Sequence, residues 1–442
     1  MKQPAENKKF SLGKLLQIFV NAVYLALLVA FLIGAIGNIA ELFGKKMYFS
    51  SVINDHLTFS DFVLFYMCGK MALSADAHHV YEPAVQLKWF NQLLSLNLSR
   101  PFYAQYMPLV FLFWAPLALL PMAQAYIVWA FGSVLVTLSS MTMAIRAAGR
   151  TSAVRIGAVL LAIMGGFPAM LSLRMGQQAF LLVSFESWFV WGWFQKLDIL
   201  SGAALACLSF KPHYCLFFAI PALVGRRWKL LIAAAVFEII LLIMAGMMIG
   251  WSNVLNYPAI VLYADNTGEY LGVNAPIMVS IRGLATVLLP QALAYRIGFI
   301  AMVLGMLTMA FVWRRTLVSG SKVAARFAIC LTVVMCLVTS PHSHAYDLLM
   351  LGILAITLPN APILSIFRLQ PLSWRIWCII VYLYPLWSWA AFMLCPLSIS
   401  APSIAFFLTN VALLVTGSSC LKLALKDESF FELVPEPPAP AA

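Results

Sequence analysis

Long apolar runs recur along this chain and constrain its fold more than any other feature. The run from about Gln17 to Ala40 is typical, because at about 1.5 Å of rise per helical residue it crosses a hydrocarbon core of about 30 Å. Of the 442 residues, 63% are hydrophobic and only 10% are charged, with a mean hydropathy of +0.92. A soluble domain carries about 25% charged residues. The sequence therefore predicts an all-α polytopic membrane protein.

The positive charge predicts a membrane topology rather than nucleic-acid binding. The formal net charge is +12, but the basic residues form short clusters between apolar runs, as cytoplasmic loops do. Arg226-Arg227-Trp228-Lys229 is the clearest cluster. Counting the runs and loops predicts about twelve transmembrane helices with both termini in the cytoplasm. The expected location is a bacterial-type inner (plasma) membrane, with the polar site on the outer face.

One transmembrane domain is expected over residues 17–422. A basic cytoplasmic segment, 1–16, precedes it, and an acidic, proline-rich cytoplasmic tail, 423–442, follows and is expected to be disordered. Residues 41–105 form the first outer loop. Its amphipathic pattern predicts helices that lie on the bilayer surface.

Prolines interrupt two of the apolar segments. Tyr106–Pro121 is predicted to be re-entrant or interfacial, since lipid tolerates broken helices only where protein or a cavity covers the backbone. Pro276–Pro290 carries Arg282 and is only weakly apolar, so it is predicted to be interfacial. A single helix over Ile199–Val224 would bury Lys211 at the bilayer centre, at a cost of about 2.5–3.5 kcal/mol. We therefore predict two short helices that meet at Lys211-Pro212.

Under this topology, scarce polar residues collect on the outer face. Ionisable groups at membrane depth are costly and so indicate function. Together they supply a base, a phosphate-binding cation and groups for proton transfer. The candidates are Asp61, Arg174, Gln177, Gln178, Lys211 with His213, and His342 and His344 with Tyr346 and Asp347.

Each of these candidates also has a purely structural interpretation. Asp61 follows Ser60 before an apolar run, which is the pattern of a helix cap. The Lys211 side chain would reach the interface by snorkelling. Gln177 and Gln178 would satisfy backbone groups at the start of a helix. An outer loop would tolerate the two histidines without a role.

A metal site is not predicted. His342 and His344 have the spacing of two metal ligands, but no cluster of carboxylates or cysteines in the sequence completes the set. We expect no cofactor, and the sequence leaves the metal requirement open.

A series of short motifs extends from Asp61 to Leu348: Ser60-Asp61-Phe62, Tyr81, Tyr106-Met107-Pro108-Leu109, Pro116-Leu117, Leu120-Pro121, Gly176-Gln177-Gln178, Lys211-Pro212-His213, Arg226-Arg227-Trp228, Ser340-Pro341 and Tyr346-Asp347-Leu348. In their order and spacing they resemble glycosyltransferase family 87, whose members have the GT-C fold and use polyprenyl-phosphate sugars. One motif departs from the family pattern, which often has two prolines where this chain has Met107-Pro108.

The resemblance implies an inverting transfer of a hexose, with mannose as the first guess. The donor would be a polyprenyl-phosphate sugar and the acceptor a lipid or glycan on the outer face. Asp61 would take the proton of the acceptor hydroxyl as general base. Lys211 would stabilise the leaving phosphate, with Arg174 or Arg282 as alternatives.

Other residues would complete the implied site. His342 or His344 would pair with the phosphate or assist proton transfer, since histidine changes charge near neutral pH. The remaining implied substrate contacts are Gln177, Gln178, Tyr106 and Tyr346.

Two other functions fit the same residues. A transporter or flippase of a polyprenyl-linked lipid would line its path with these charges, but such proteins usually contain internal repeats, and we find none in the sequence. A membrane scaffold would leave the collection of scarce charges on one face without a reason.

Overall fold

A computed structural model describes residues 50–53, 56–99, 104–149, 152–267, 277–358, 371–394, 398 and 400–431, together with single positions between 15 and 29. Most of the predicted first span, almost all of the predicted cytoplasmic segment 1–16, and the end of the predicted tail, 432–442, lie outside the described residues.

The described residues of the segment predicted as the first outer loop form two strands, a 3₁₀ turn and two α-helices. Strands β1 (Ser50–Ile53) and β2 (His56–Phe59) form an antiparallel hairpin in which Ser50 lies opposite Phe59. Helix α1 (Phe62–Ala72) follows, then a 3₁₀ turn at Ala77–His79 and helix α2 (Pro83–Leu94). The hairpin is a small exception to the all-α expectation.

The two helices of this loop differ in burial. Helix α2 buries only Gln86 and Phe90 on one face, as the amphipathic pattern predicts. Every residue of α1 except Lys70 is buried, so the prediction of a surface helix is wrong for α1. The reason is close packing against the helix that contains Trp114, because a Cβ at Gly69 would lie 2.7 Å from the Trp114 carbonyl carbon.

The remaining α-helices follow in chain order as α3 (Pro108–Ala118), α4 (Met122–Ala148), α5 (Ala153–Met164), α6 (Phe167–Met175), α7 (Ala179–Gln195), α8 (Asp198–Cys207), α9 (Pro212–Val224), α10 (Trp228–Ile249), α11 (Trp251–Leu255), α12 (Tyr257–Thr267), α13 (Ile281–Leu288), α14 (Gln291–Ser319), α15 (Lys322–Thr339), α16 (Leu372–Phe392) and α17 (Ala401–Lys426). Further 3₁₀ helices are Leu208–Phe210, Asp347–Thr357 and Glu428–Phe431.

Six of the described helices are long and apolar enough to cross a membrane: α4, α10, α14, α15, α16 and α17. Helices α5 and α6 meet at a bend of 58° and add a seventh crossing if the pair is one span. Other apolar helices have only 10–17 residues. The helical multi-pass class is thus confirmed, whereas the predicted count of about twelve spans is not.

Two segments that were predicted to contain only short helices, Ile199–Val224 and Tyr106–Pro121, do so in the structure. Helix α8 continues into the 3₁₀ turn Leu208–Phe210 and ends before Lys211, and α9 begins at Pro212. Lys211 is extended, with φ −126° and ψ 97°, because a following proline disfavours the helical conformation. The predicted meeting of two short helices at Lys211-Pro212 is confirmed. Tyr106–Pro121 contains only the eleven-residue α3, with Pro116 inside it.

The C-terminal helices pack around α15, which is the most buried of the six candidate spans. Within this layer the indole nitrogen of Trp313 donates to the hydroxyl of Thr332 at 2.9 Å. Helix α17 continues to Lys426, and the ring of Phe431 lies 5.1 Å from that of Phe327. The folded part therefore extends into the segment predicted as a tail.

Candidate functional site

Asp61 lies at the N-cap position of α1, but it does not act as a cap. Within the described residues, its side chain makes no hydrogen bond to the helix backbone. Instead, Oδ2 of Asp61 accepts a hydrogen bond of 2.5 Å from Nε2 of Gln177. The structural interpretation of Asp61 as a capping residue is therefore wrong, and its half-buried carboxylate is held by a residue from another helix pair.

The turn between α6 and α7 brings Gln177 to Asp61. Gly176 ends α6 with φ +69°, a left-handed conformation that favours glycine, and its N–H donates to Leu173 at 3.0 Å. A Cβ at Gly176 would collide with the side chain of Phe62 and approach the Phe62 nitrogen to 3.1 Å. This close approach places Gln177 beside the start of α1.

The other glutamine of the turn has a different position. Gln178 is buried at the N-cap of α7, yet its side chain makes no cap hydrogen bond to any described residue. Its amide nitrogen also has no hydrogen-bond partner in the described part of the chain. Gln178 therefore has neither the capping contact nor the contact to Asp61.

Aromatic rings support the Asp61 end of the site. The ring of Phe65 stacks on that of Tyr106 at 4.4 Å and on that of Trp114 at 5.2 Å. The hydroxyl of Tyr81 donates to the carbonyl of Tyr106 at 2.5 Å. The stacking on Phe65 fixes Tyr106 next to α1. The hydrogen bond from Tyr81 joins two tyrosines that are 25 positions apart.

The helix break places the ammonium of Lys211 against a buried carboxylate. Nζ of Lys211 donates to Oδ1 of Asp347 at 2.5 Å, and the side chain of Asp347 is fully buried. The rings of Tyr346 and Tyr214 lie 5.0 Å and 5.9 Å from Nζ, within the range of a cation–π contact. Lys211 thus forms an ion pair instead of snorkelling.

A loop at residues 340–347 joins Lys211 to a second cation. Oδ2 of Asp347 accepts from the N–H of His344 at 2.9 Å. Nη1 of Arg282, on α13, donates to the carbonyl of Pro341 at 3.1 Å and lies 3.2 Å from Nε2 of His342. Because a guanidinium only donates, Nε2 of His342 is the acceptor and its proton resides on Nδ1.

The pKa shifts of these groups have causes in common, which indicates that the groups lie near one another. Burial raises the pKa of Asp61 to about 6, against the opposing effects of the Gln177 hydrogen bond and the Lys211 charge. Burial, and then the charge of Asp61, raises the pKa of Tyr106. The pKa of Tyr346 is also raised, first by burial and then by the charges of Asp347 and Asp61. The carboxylate, the ammonium and the two tyrosines therefore lie within electrostatic reach of one another.

The histidines belong to the same neighbourhood. Burial first, and then nearby basic groups that include Lys211 and Arg282, lowers the pKa of His344 to about 3. His344 is therefore neutral at physiological pH. A neutral histidine offers a hydrogen-bond donor and an acceptor, but no positive charge for a phosphate.

Arg174 is placed differently from the other candidates. It is exposed at the end of α6, and its carbonyl accepts from the hydroxyl of Ser60 at 3.3 Å. Among the described residues, no contact joins its guanidinium to Asp61 or Lys211. The structure thus brings together Asp61, Gln177, Tyr106, Lys211, Tyr346, His342, His344 and Arg282, but not the Arg174 side chain.

The sequence placed Asp347 among the polar residues of this face but gave it no role of its own, although the residue is the partner of Lys211. The available signal was the scarcity of acidic residues, 16 in the whole chain, combined with its place in the Tyr346-Asp347 motif. As for metals, no group of three or more potential ligands among His, Cys, Asp and Glu comes together in the described parts of the chain.

The fold and the site define a multi-pass helical membrane protein with a polar site built from distant segments. The family model described as glycosyltransferase family 87 matches residues 103–341, which is more than half of the chain. The chain belongs to glycosyltransferase family 87, and the resemblance is confirmed. It is thus a membrane glycosyltransferase. No curated protein matches the chain.

The family match includes only one residue of each of two side-chain pairs, Asp61–Gln177 and Lys211–Asp347. Gln177 and Lys211 lie within the matched residues, as does Arg282. Their partners Asp61 and Asp347 lie outside the match, at opposite ends of it. The contacts in the structure therefore add information that the family match does not contain.

Proposed function

We propose that the protein transfers a hexose, with mannose as the first candidate, from a polyprenyl-phosphate donor to a hydroxyl of a lipid or glycan acceptor. The reaction takes place at the outer face of a bacterial-type inner membrane, on a GT-C fold, and inverts the anomeric carbon. The observation that supports this most is the hydrogen bond between Gln177 and Asp61, within electrostatic reach of Lys211.

Asp61 is the general base of this reaction. With a pKa of about 6, its carboxylate is mostly ionised at neutral pH and is a stronger base than an ordinary exposed aspartate. It takes the proton of the acceptor hydroxyl while that oxygen forms a bond to the anomeric carbon. The bond from this carbon to the phosphate oxygen breaks, and its electron pair stays with the phosphate. Polyprenyl phosphate leaves with one more negative charge than it had as a diester.

Fixed cations stabilise the charge that develops on the leaving phosphate. Lys211 is the assigned phosphate ligand because its ammonium is largely shielded from water, with 18% of the side chain exposed. Arg282 is a second cation, held at the loop that carries His342. Arg174 is a weaker candidate because a cation exposed to water interacts less strongly with an anion.

The remaining polar groups orient the substrates. Tyr106 and Tyr346 lie on the Asp61 and Lys211 sides of the site, and their hydroxyls are suited to sugar hydroxyls. His342, with its proton on Nδ1, and neutral His344 act as hydrogen-bonding groups. Gln178, whose buried amide nitrogen has no partner among the described residues, is a further candidate for a substrate contact.

The test is a transfer assay with purified protein in lipid vesicles. The substrate is a polyprenyl-phosphate hexose labelled in the sugar, supplied with lipid and glycan acceptors. The wild type should release polyprenyl phosphate only when an acceptor is present, and NMR of the product should show an inverted anomeric carbon. Asp61→Asn should lower turnover by about 10²–10⁴-fold, which is the usual contribution of a general base.

Asp76→Asn is the matched control. Asp76 lies in the same outer loop, and its carboxylate accepts from Lys88 at 2.9 Å and from Trp89 at 2.8 Å. The control should transfer sugar like the wild type. Full activity of Asp61→Asn would overturn the assignment of the base. Movement of intact donor across the bilayer, without any sugar transfer, would identify a transporter instead.

A further inference from the structure

Asp347 is fixed to the protein core. It is the first residue of the 3₁₀ helix Asp347–Thr357, and it is fully buried along with the next three residues, Leu348–Met350. Its Oδ1 accepts from Lys211 and its Oδ2 from the N–H of His344. Its own N–H donates to the carbonyl of His344 at 2.9 Å. The position of this carboxylate is therefore set by backbone and core contacts.

Lys211 is anchored less firmly by its own segment. It lies between two short helices, and its flexible side chain must be ordered before the ammonium has a defined position. An ammonium has three N–H donors, of which the observed contact with Asp347 uses one. Part of the side chain remains exposed. The Lys211 side chain is thus held by Asp347 through one donor and is only partly covered by the protein.

We infer that Asp347 is a positioning residue that holds the Lys211 ammonium at the place where the phosphate of the donor binds. The inference rests on the proposed function. Because the ion pair orders the lysine before the donor arrives, this ordering is not a cost of donor binding or of the transition state. A buried carboxylate also requires a paired cation, so each residue fixes the other.

Asp347 is not a second general base. Its carboxylate is inaccessible, and both of its oxygens already accept hydrogen bonds. A proton transferred to Asp347 would break the ion pair that orders Lys211. Asp61 is only partly buried, and in the proposed reaction it is the residue that takes the proton of the acceptor hydroxyl. The two aspartates therefore have separate roles, one in proton transfer and one in the placement of a cation.

The test is a double-mutant cycle in the transfer assay, with Asp347→Asn, Lys211→Met and the combination of both. Asparagine keeps an oxygen that accepts from His344 but loses the charge that attracts Lys211. Asp347→Asn should lower kcat/KM for the donor by about tenfold to a hundredfold, as expected when a charged group is misplaced by about 1 Å. The double variant should be no worse than Lys211→Met, because Asp347 acts through Lys211.

Asp198→Asn is the control for the general loss of an ion pair. Oδ1 of Asp198 accepts from Nε of Arg227 at 2.8 Å, away from the residues of the site. This control should leave the KM for the donor unchanged. A direct readout is the binding of labelled polyprenyl phosphate, which Asp347→Asn should weaken and Asp198→Asn should not.

The possible outcomes separate the inference from the proposed function. If the wild type transfers no sugar from a polyprenyl-phosphate donor, the proposed function fails. If the wild type transfers sugar but Asp347→Asn has normal kinetics for the donor, only the inference fails. The inference also fails if the losses of kcat/KM in the two single variants multiply in the double variant, because the two residues would then act independently.

A second variant covers the case in which Asp347→Asn does not fold. Asp347→Glu keeps the charge but moves it by one methylene, so it should fold and give a raised KM for the donor with a smaller loss of turnover. A normal KM in this variant would show that the exact position of the carboxylate does not matter, and would overturn the inference.

Discussion

The side-chain amide of Gln177 donates a 2.5 Å hydrogen bond to Oδ2 of Asp61, across 116 positions of sequence. A hydrogen bond to an ionised carboxylate stabilises that form and lowers its pKa, whereas burial raises it. For Asp61 burial is the larger effect, and the resulting pKa is about 6. The strength of the proposed base therefore depends on a glutamine from the turn between α6 and α7.

Gln177→Leu should move the acid limb of the pH profile to higher pH. Asp61 acts as a carboxylate, so kcat/KM is lost as the pH falls through its pKa, at about pH 6 in the wild type. Removing a hydrogen bond that lowers this pKa raises it, and more activity is lost at neutral pH. The measurement is kcat/KM for the donor as a function of pH.

Gln178→Leu is the comparison for that experiment. Gln178 is the next residue and is equally buried, but the hydrogen bond to Asp61 comes from Gln177. Its replacement should leave the acid limb where it is in the wild type. An acid limb that stays in place in Gln177→Leu would contradict a titration controlled by the Asp61–Gln177 bond.

Gly176→Ala should reduce both stability and activity. The residue has φ +69°, which costs a non-glycine residue about 1–2 kcal/mol, and the added Cβ would also collide with Phe62. The collision displaces the start of α1 and so moves Asp61 away from Gln177. Thermal unfolding and kcat/KM measure the two effects.

Gly320→Ala separates backbone strain from the collision. Gly320 also has φ +69°, but no heavy atom lies within 4 Å of a Cβ built there. This variant should lose stability through strain alone and keep its transfer activity. Equal effects of the two substitutions on kcat/KM would show that the contact of Gly176 with Phe62 is unimportant for the site.

Arg282→Lys should lower kcat/KM for the donor by at least about tenfold. Nη1 of Arg282 reaches the Pro341 carbonyl and Nε2 of His342, and hydrogen bonds of charged groups are worth about 1.5–3 kcal/mol. Lysine keeps the charge, but its compact ammonium does not reproduce the position and the fixed N–H directions of the guanidinium. Arg296→Lys, at an exposed position of α14, should have no effect. Similar kinetics for the two variants would argue against Arg282 as a phosphate ligand.

The sequence correctly predicted where a helix breaks, whereas its number of membrane spans is not confirmed. The break at Lys211-Pro212 follows from the geometry of the proline itself, and it is present in the structure. Several apolar helices in the described part of the chain have only 10–17 residues. At about 1.5 Å per residue, the thirteen residues of α9 extend only about 20 Å, which is less than the hydrocarbon core.

The sequence could not reveal which polar residues pair. Asp61 has the local pattern of a helix cap, and only the fold shows that Gln177 is its partner. The same holds for Lys211 and Asp347, which are 136 positions apart. Hydropathy and propensity describe neighbours along the chain, so they assign a residue to a face of the membrane but not to a contact across it.

The ion pair between Lys211 and Asp347 has a consequence for the synthesis of the protein. At about 5–20 residues per second, the ribosome needs roughly 7–27 seconds to add the 136 residues from Lys211 to Asp347. During this interval the nascent chain holds a lysine near the bilayer whose partner does not yet exist. The ion pair therefore forms only after most of the chain has been synthesised, and this part of the site is completed late in biogenesis.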